Sequence, residues 1–218
     1  MNIIKDYIPQ GRDNRPGYKM KPEYICVHDT ANLNATALAH AVYLSKNSIA
    51  ERLPVSWHVT VDDINIIQHL PFNESGWHAG DGASGPGNRK SIGVEICEFT
   101  DEGKRHKAEE NAMRVVACLA NEFSIPAECV VQHHHWADKN CPRVLRSRPG
   151  GWAGFIGMVK KYRQVFTDVP DRHWAAVAIR YCKENNLMIG DTEGRFRPDE
   201  PVTRAELAIV AATLHKKC

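Results

Sequence analysis

One amphipathic run, residues 107–123, constrains this chain most. Ala108, Ala112, Val115, Leu119 and Phe123 recur at three- and four-residue steps, the spacing of one helix face. Short apolar runs bracket it, residues 91–97 before and 128–132 after, and both read as strands. Tyr24-Ile25-Cys26-Val27-His28 reads as a further buried strand. Asn34 is placed to cap a helix through Lys46 that shows Ala37, Ala41 and Leu44 on one face. Residues 56–61 alternate as a strand, with Trp57, Val59 and Val61 on one side and His58 and Thr60 on the other. Asp62-Asp63 turns the chain into a partner strand over 64–70, and Gly150-Gly151-Trp152 opens a last helix to about Tyr162. This alternation predicts a mixed α/β domain, a central sheet flanked by helices, over residues 1–163. Residues 1–22, rich in Gly, Pro and Arg, read as an extended arm with turns.

Several polar residues do not fit a purely structural role. Glu95 lies inside the apolar run 91–97, facing away from Ile92, Val94 and Ile96. A carboxylate there is paired, exposed or catalytic. Val131-Gln132-His133-His134-His135-Trp136-Ala137-Asp138-Lys139-Asn140-Cys141-Pro142 gathers imidazoles, an ammonium and a thiol in one loop. Zinc takes nitrogen and sulfur ligands, and a catalytic zinc keeps three of them. His133 and Cys141 can supply two. His28, at the end of its strand, is the best third, with Cys26 on the same strand face as a rival. Trp77 and His78 sit in a long glycine-rich loop over 71–90, where an indole serves either as a platform for a sugar or peptide or as a pin to the core.

Composition narrows the class. The chain has 218 residues, 28 basic and 26 acidic, and a net charge of +2, so nothing demands nucleic acid. No apolar stretch spans a membrane, and the first residues lack the core of a signal peptide, which implies synthesis and folding in a cytoplasm. Seven cysteines at irregular spacing do not form a disulfide framework. Cys26, Cys97, Cys118, Cys129 and Cys182 lie mostly in apolar runs and are expected to be buried thiols; Cys141 differs in its polar flanks and following proline.

After Gln164 the pattern changes to a helix–loop–helix unit of about 50 residues. Trp174, Val177, Ala178 and Tyr181 form a stripe on the first helix. Thr203-Arg204-Ala205-Glu206 reads as a capping box opening the second, which carries Leu207, Val210 and Leu214 on one side. So small a unit buries little core alone, so the stripe needs a partner, either the preceding domain or copies of the motif from other chains, of which self-association is favoured.

Taken together, the blocks at 24–30, 56–62, 76–80, 91–95 and 133–142 resemble the type 2 N-acetylmuramoyl-L-alanine amidases, the zinc amidases of phage endolysins and bacterial autolysins, related to the peptidoglycan recognition proteins. The resemblance covers residues 1–163 in the family's order. It implies a mixed sheet with a groove over a zinc ion, ligands at His28, His133 and Cys141, a catalytic carboxylate at Glu95 and a lysine at Lys139. Cys26 then falls on an ordinary core position. Where some members have a tyrosine this chain has Trp57, which removes one proton donor and shifts weight to Glu95. Trp57, His58, Trp77, His78 and His135 are expected to line the substrate groove, with His78 or His135 assisting Lys139 at the oxyanion. The implied reaction is hydrolysis of the amide joining N-acetylmuramic acid to L-alanine in peptidoglycan, in an endolysin that leaves the host cytoplasm for the cell wall. An autolysin would share that chemistry. A non-catalytic recognition module would lack Cys141.

The tail, residues 166–218, resembles a single surface-layer homology motif, through Phe166-Thr167-Asp168-Val169, Trp174-Ala175, Gly194-Arg195-Phe196-Arg197-Pro198 and Thr203–Glu206. That resemblance implies binding to an anionic secondary polymer of Gram-positive walls, with Arg204 as the anion contact.

Overall fold

The structure, a computed structural model, describes residues 2–47, 54–170 and 173–215. The chain divides into two compact units, Met1–Arg163 and Gln164–Cys218.

The first unit is a six-stranded mixed sheet. Its strands are β1 (Ile4–Lys5), β2 (Tyr24–Asp29), β3 (Val59–Val61), β4 (Ile66–Gln68), β5 (Ser91–Ile96) and β6 (Val130–Gln132), in spatial order β1-β4-β3-β5-β2-β6. β2 runs parallel to both β5 and β6, and β3 parallel to β5; β4 closes an antiparallel pair with β3. The helices are α1 (Ala37–Val42), continued by a π-helical turn at Tyr43–Asn47, then α2 (Pro86–Lys90), α3 (Glu102–Glu122), α4 (Arg143–Ser147) and α5 (Gly151–Arg163).

One sheet face is apolar because alternate residues of each strand share it. Ile25, Val27, Val59, Val61, Ile92, Val94 and Ile96 pack there against Ala108, Ala112, Val115, Val116 and Leu119 of α3 and Phe155 and Val159 of α5. The opposite face carries Cys26, His28, Gly93 and Glu95. In the β2–β5 register His28 lies beside Glu95. Both stand near the carboxyl ends of parallel strands, the usual place for a site in such sheets.

Several expected boundaries move. α1 is capped by Thr36, whose side chain accepts from Ala39 N. Asn34 instead has φ 64° and accepts hydrogen bonds from the Thr100 N–H and hydroxyl. α3 begins five residues early, at the Asp101 cap, because Arg105 and Glu109 on its inner face are buried ion partners, invisible to an apolar count. Pairing of β3 starts only at Val59. Trp57 therefore leaves the valine face and packs with Ile8, Leu44 and Leu70. Part of the presumed arm joins the sheet as β1. Cys118 is exposed and Cys129 and Cys182 half-buried, which corrects the expectation of buried thiols there. No helix among the described residues is long and apolar enough to cross a membrane.

Among its described residues the second unit has two helices, α6 (Ala176–Glu184) and α7 (Arg204–His215). Its core is Phe166, Val169, Ala176 and Ile179. The Asp168 carboxylate accepts the N–H groups of Phe196 and Arg197 and pins the connecting loop. The capping box forms: Glu206 N–H donates to Thr203 Oγ1, and the Glu206 carboxylate accepts from Thr203 N–H. Asp171 and residues 216–218 of the motif lie outside the described residues.

Candidate metal centre and groove

Three elements converge on one spot. β2 brings His28, the turn after β6 brings His133, and the loop into α4 brings Cys141. His28 Nδ1 lies 2.9 Å from His133 Nδ1 and 3.8 Å from Cys141 Sγ. All three residues are buried, and their ligand atoms lie within 4.8 Å of one another, a group that could hold a metal ion. Tetrahedral ligands about 2.0–2.3 Å from a common zinc stand roughly 3.3–3.6 Å apart. The observed separations straddle that spacing, so the donor set fits zinc. Burial, reinforced by His78, His133 and Lys139, drives the His28 pKa well down, and burial brings His133 to about 4, so both rings are neutral and available as ligands at pH 7. Burial pushes the Cys141 thiol up to about 12, so a cation must displace its proton.

Cys26, His28 and His78 make a second trio within the same limit. Here His28 offers its other nitrogen, which is hydrogen-bonded to His78 Nδ1 at 3.1 Å, and Cys26 is fully buried in the sheet.

The centre opens into a groove of about 280 Å³ lined by His28, Glu95, His133, Lys139, Trp57 and Trp77, among others. Glu95 Oε1 is 3.9 Å from His28 Nδ1, and its Oε2 is buried without a partner. Burial, with the nearby Asp29 charge, raises the Glu95 pKa well above the carboxylate range, while Lys139 acts in the opposite sense. A buried carboxyl with a raised pKa can both take and return a proton near neutrality.

Not every expected groove residue faces it. His58 is fully buried; Gly93 N–H donates to its Nδ1 and its Nε2 donates to the Glu74 carbonyl, so it is a structural histidine tying β3 to β5. His135 is exposed on the outer side of the loop, its ring edge-on to Trp136 at 4.6 Å, and it does not line the groove. His134 is also exposed, near Asp138. Trp57 lines the groove with its indole N–H donated to Thr60 Oγ1 at 2.6 Å. Trp77 lines it too, its indole N–H reaching the Asp13 carbonyl.

Two supports escaped the sequence reading. Asp29, next to His28, accepts from Arg105 and from the Val144 N–H that opens α4, both at 2.6 Å. Arg105 also holds Glu109, which pairs with Arg148. This ionic chain fastens the Cys141 loop to the end of β2. The other support is Asn88, whose carbonyl oxygen accepts from the N–H groups of His78 and Ala79, both at 2.8 Å.

Residues 18–144 match the family described as N-acetylmuramoyl-L-alanine amidase, more than half of the chain. The chain belongs to that family. Residues 165–208 match the S-layer homology domain. Among curated relatives, the Bacillus subtilis amidase CwlH is 49% identical over 158 residues, spanning 72% of this chain and 60% of that protein. XlyA of the same organism is 53% identical over 147 residues, 66% of this chain and 48% of its own length. The chain thus spans about half to three-fifths of these relatives. Among solved structures, the catalytic domain of XlyA aligns with a TM-score of 0.66 at 50% identity, covering 73% of this chain and 99% of that one. PlyL aligns at 0.66 with 40% identity, covering 73% and 97%. The mixed sheet with flanking helices is therefore that of endolysin catalytic domains.

Proposed function

We propose that this chain hydrolyses the amide between the lactyl group of N-acetylmuramic acid and the L-alanine of the peptidoglycan stem peptide. The observation that carries the reading is the convergence of His28, His133 and Cys141 on a groove whose floor also holds the unpartnered Glu95 Oε2. In this reading His28, His133 and Cys141 hold zinc, which supplies Lewis acidity to the scissile carbonyl and to water. Glu95 accepts the proton of the attacking water and returns it to the departing alanine nitrogen. Lys139, at the groove rim, opposes the charge that builds on the carbonyl oxygen. Trp57 and Trp77 offer apolar walls to the sugar and the peptide.

Residues 1–163 form the catalytic domain and 166–218 the wall-binding domain. Arg204 meets an anionic secondary wall polymer, and exposed apolar side chains of α6 and α7 pack against further copies of the same motif, raising avidity. The protein acts as an endolysin, passing from the host cytoplasm to the wall.

Digestion of purified wall tests the reaction. The expected products carry new N-terminal alanine and no new reducing sugar ends; reducing ends alone would identify a glycosidase. Light scattering on the full chain tests assembly, and a monomer at micromolar concentration would refute self-association.

A further inference from the structure

The proton of one ligand histidine, His28, can be traced from a backbone carbonyl. His78 Nε2 lies 3.3 Å from the Ser91 carbonyl, which can only accept, so Nε2 carries the His78 proton. The ring is buried and a neutral imidazole carries one proton, so its Nδ1 presents a lone pair. That lone pair faces His28 Nε2 at 3.1 Å, the two rings standing 88° apart, edge to face. His28 must therefore donate from Nε2, which leaves its own Nδ1 bare. That nitrogen faces the other two candidate ligands, His133 Nδ1 at 2.9 Å and Cys141 Sγ at 3.8 Å.

We propose that His78 is a tautomer-setting residue for the centre: its side chain fixes the proton of His28 on Nε2, and Asn88 clamps the backbone that carries it. The proposal rests on the metal reading above for its purpose, though the proton positions stand on their own. Metal-bound histidines are commonly oriented by an acceptor on the other ring nitrogen. Here a second imidazole, anchored to the sheet, takes that place for His28. Two features show that the site is built for it. A Cβ on Gly93 would lie 2.8 Å from the His78 ring, so only glycine at that point of β5 admits the imidazole. The single Asn88 oxygen accepts the consecutive N–H groups of His78 and Ala79 at 2.8 Å, which holds the backbone from which the imidazole projects. His78, whose ring also lines the groove as expected, is thus a positioning residue.

Long-range nitrogen–proton NMR of the metal-free wild type reads the tautomers directly. His28 is expected as the Nε2–H form; a His28 that carries its proton on Nδ1 would overturn the proposal. Zinc affinity, measured by competition with a chromophoric chelator, gives the second readout. His78→Phe removes the acceptor while keeping a ring, and is expected to weaken zinc about 10- to 100-fold. His78→Asn, whose Oδ1 can replace Nδ1 as acceptor, is expected to regain most of that loss. Equal weakening by Phe and Asn, or affinity within about twofold of wild type in His78→Phe, would refute the role. Should the Phe variant fail to fold, the wild-type spectrum alone decides. A wild type that binds no zinc would sink the metal reading and leave the tautomer result standing.

Discussion

The two units use the same local signals to different ends. In the first, α3 is patterned on one face and buries that face against a sheet. In the second, α7 is well capped and apolar, yet none of its residues is buried within the described structure. α6 buries Ala176, Ile179 and Arg180, and leaves Trp174 just before it 87% exposed, with Val177 and Tyr181 at 58% and 62%. The stripe read from sequence exists, but it points away from the unit's own core of four residues. A helix pattern reports which side chains share a face. It does not report whether the chain itself supplies something to cover that face.

This contrast predicts where substitutions act. The largest effect belongs to the metal centre: Ala at His28, His133 or Cys141 should each abolish stoichiometric zinc and wall lysis, while wall binding through the second unit persists. Chelation of the wild type should do the same, and full activity in metal-free protein would defeat the ligand assignment. Next, Glu95→Gln should retain zinc and lose about 10²- to 10⁴-fold in turnover. Near-normal hydrolysis of a soluble muramoyl-peptide would move the proton transfer elsewhere. In the second unit, Phe166→Ala should cost about 3–5 kcal/mol, the range for a buried aromatic, which is more than so small a core can lose. Its helices should melt while hydrolysis of the soluble substrate stays within about twofold, and a joint loss of both would show that the units are not independent.

Acid separates the units more gently. Burial holds His58 at a pKa of about 4 in the fold, against about 6.5 in the unfolded chain. The unfolded chain therefore binds a proton first as pH falls. Stability is full above about pH 6.5 and declines until about pH 4, by about 3 kcal/mol for this one residue. His69, held at about 3 by burial, adds in the same direction. Urea titration between pH 7.5 and 4.5 should show the first unit losing stability; a flat profile would contradict the buried neutral histidines. The smallest effect is Arg204→Ala, expected to weaken wall-polymer binding by about two- to fivefold, as an exposed charge contact does. Pull-down on purified walls measures it.

The sheet was legible because its strands are short apolar runs, and the site because His28, Glu95, His133, Lys139 and Cys141 stand in blocks that resemble a family. What the sequence concealed was pairing between distant polar groups. Arg105 and Glu109 look like surface charges on a helix until Asp29 and Arg148 are seen against them. His58 and His78 look alike as loop-flanking imidazoles. One is consumed by backbone bonds and the other by a second histidine, and no spacing rule distinguishes them. Asn88 carried no signal beyond its place in a glycine-rich stretch. Trp57 changed sides because β3 begins three residues later than its alternation suggested.

The strand order carries a kinetic consequence. β2, which holds His28, is paired on both sides, whereas β6, which delivers His133, is a three-residue edge strand paired, among the described residues, with β2 alone. Local opening follows the free edge, where fewest backbone bonds must break. The amides of β6 therefore exchange with solvent well before those of β2. Under the proposed zinc reading, an ion is expected to leave by loosening of the His133 and Cys141 loop while His28 keeps its grip, a hinged departure with one fixed jaw.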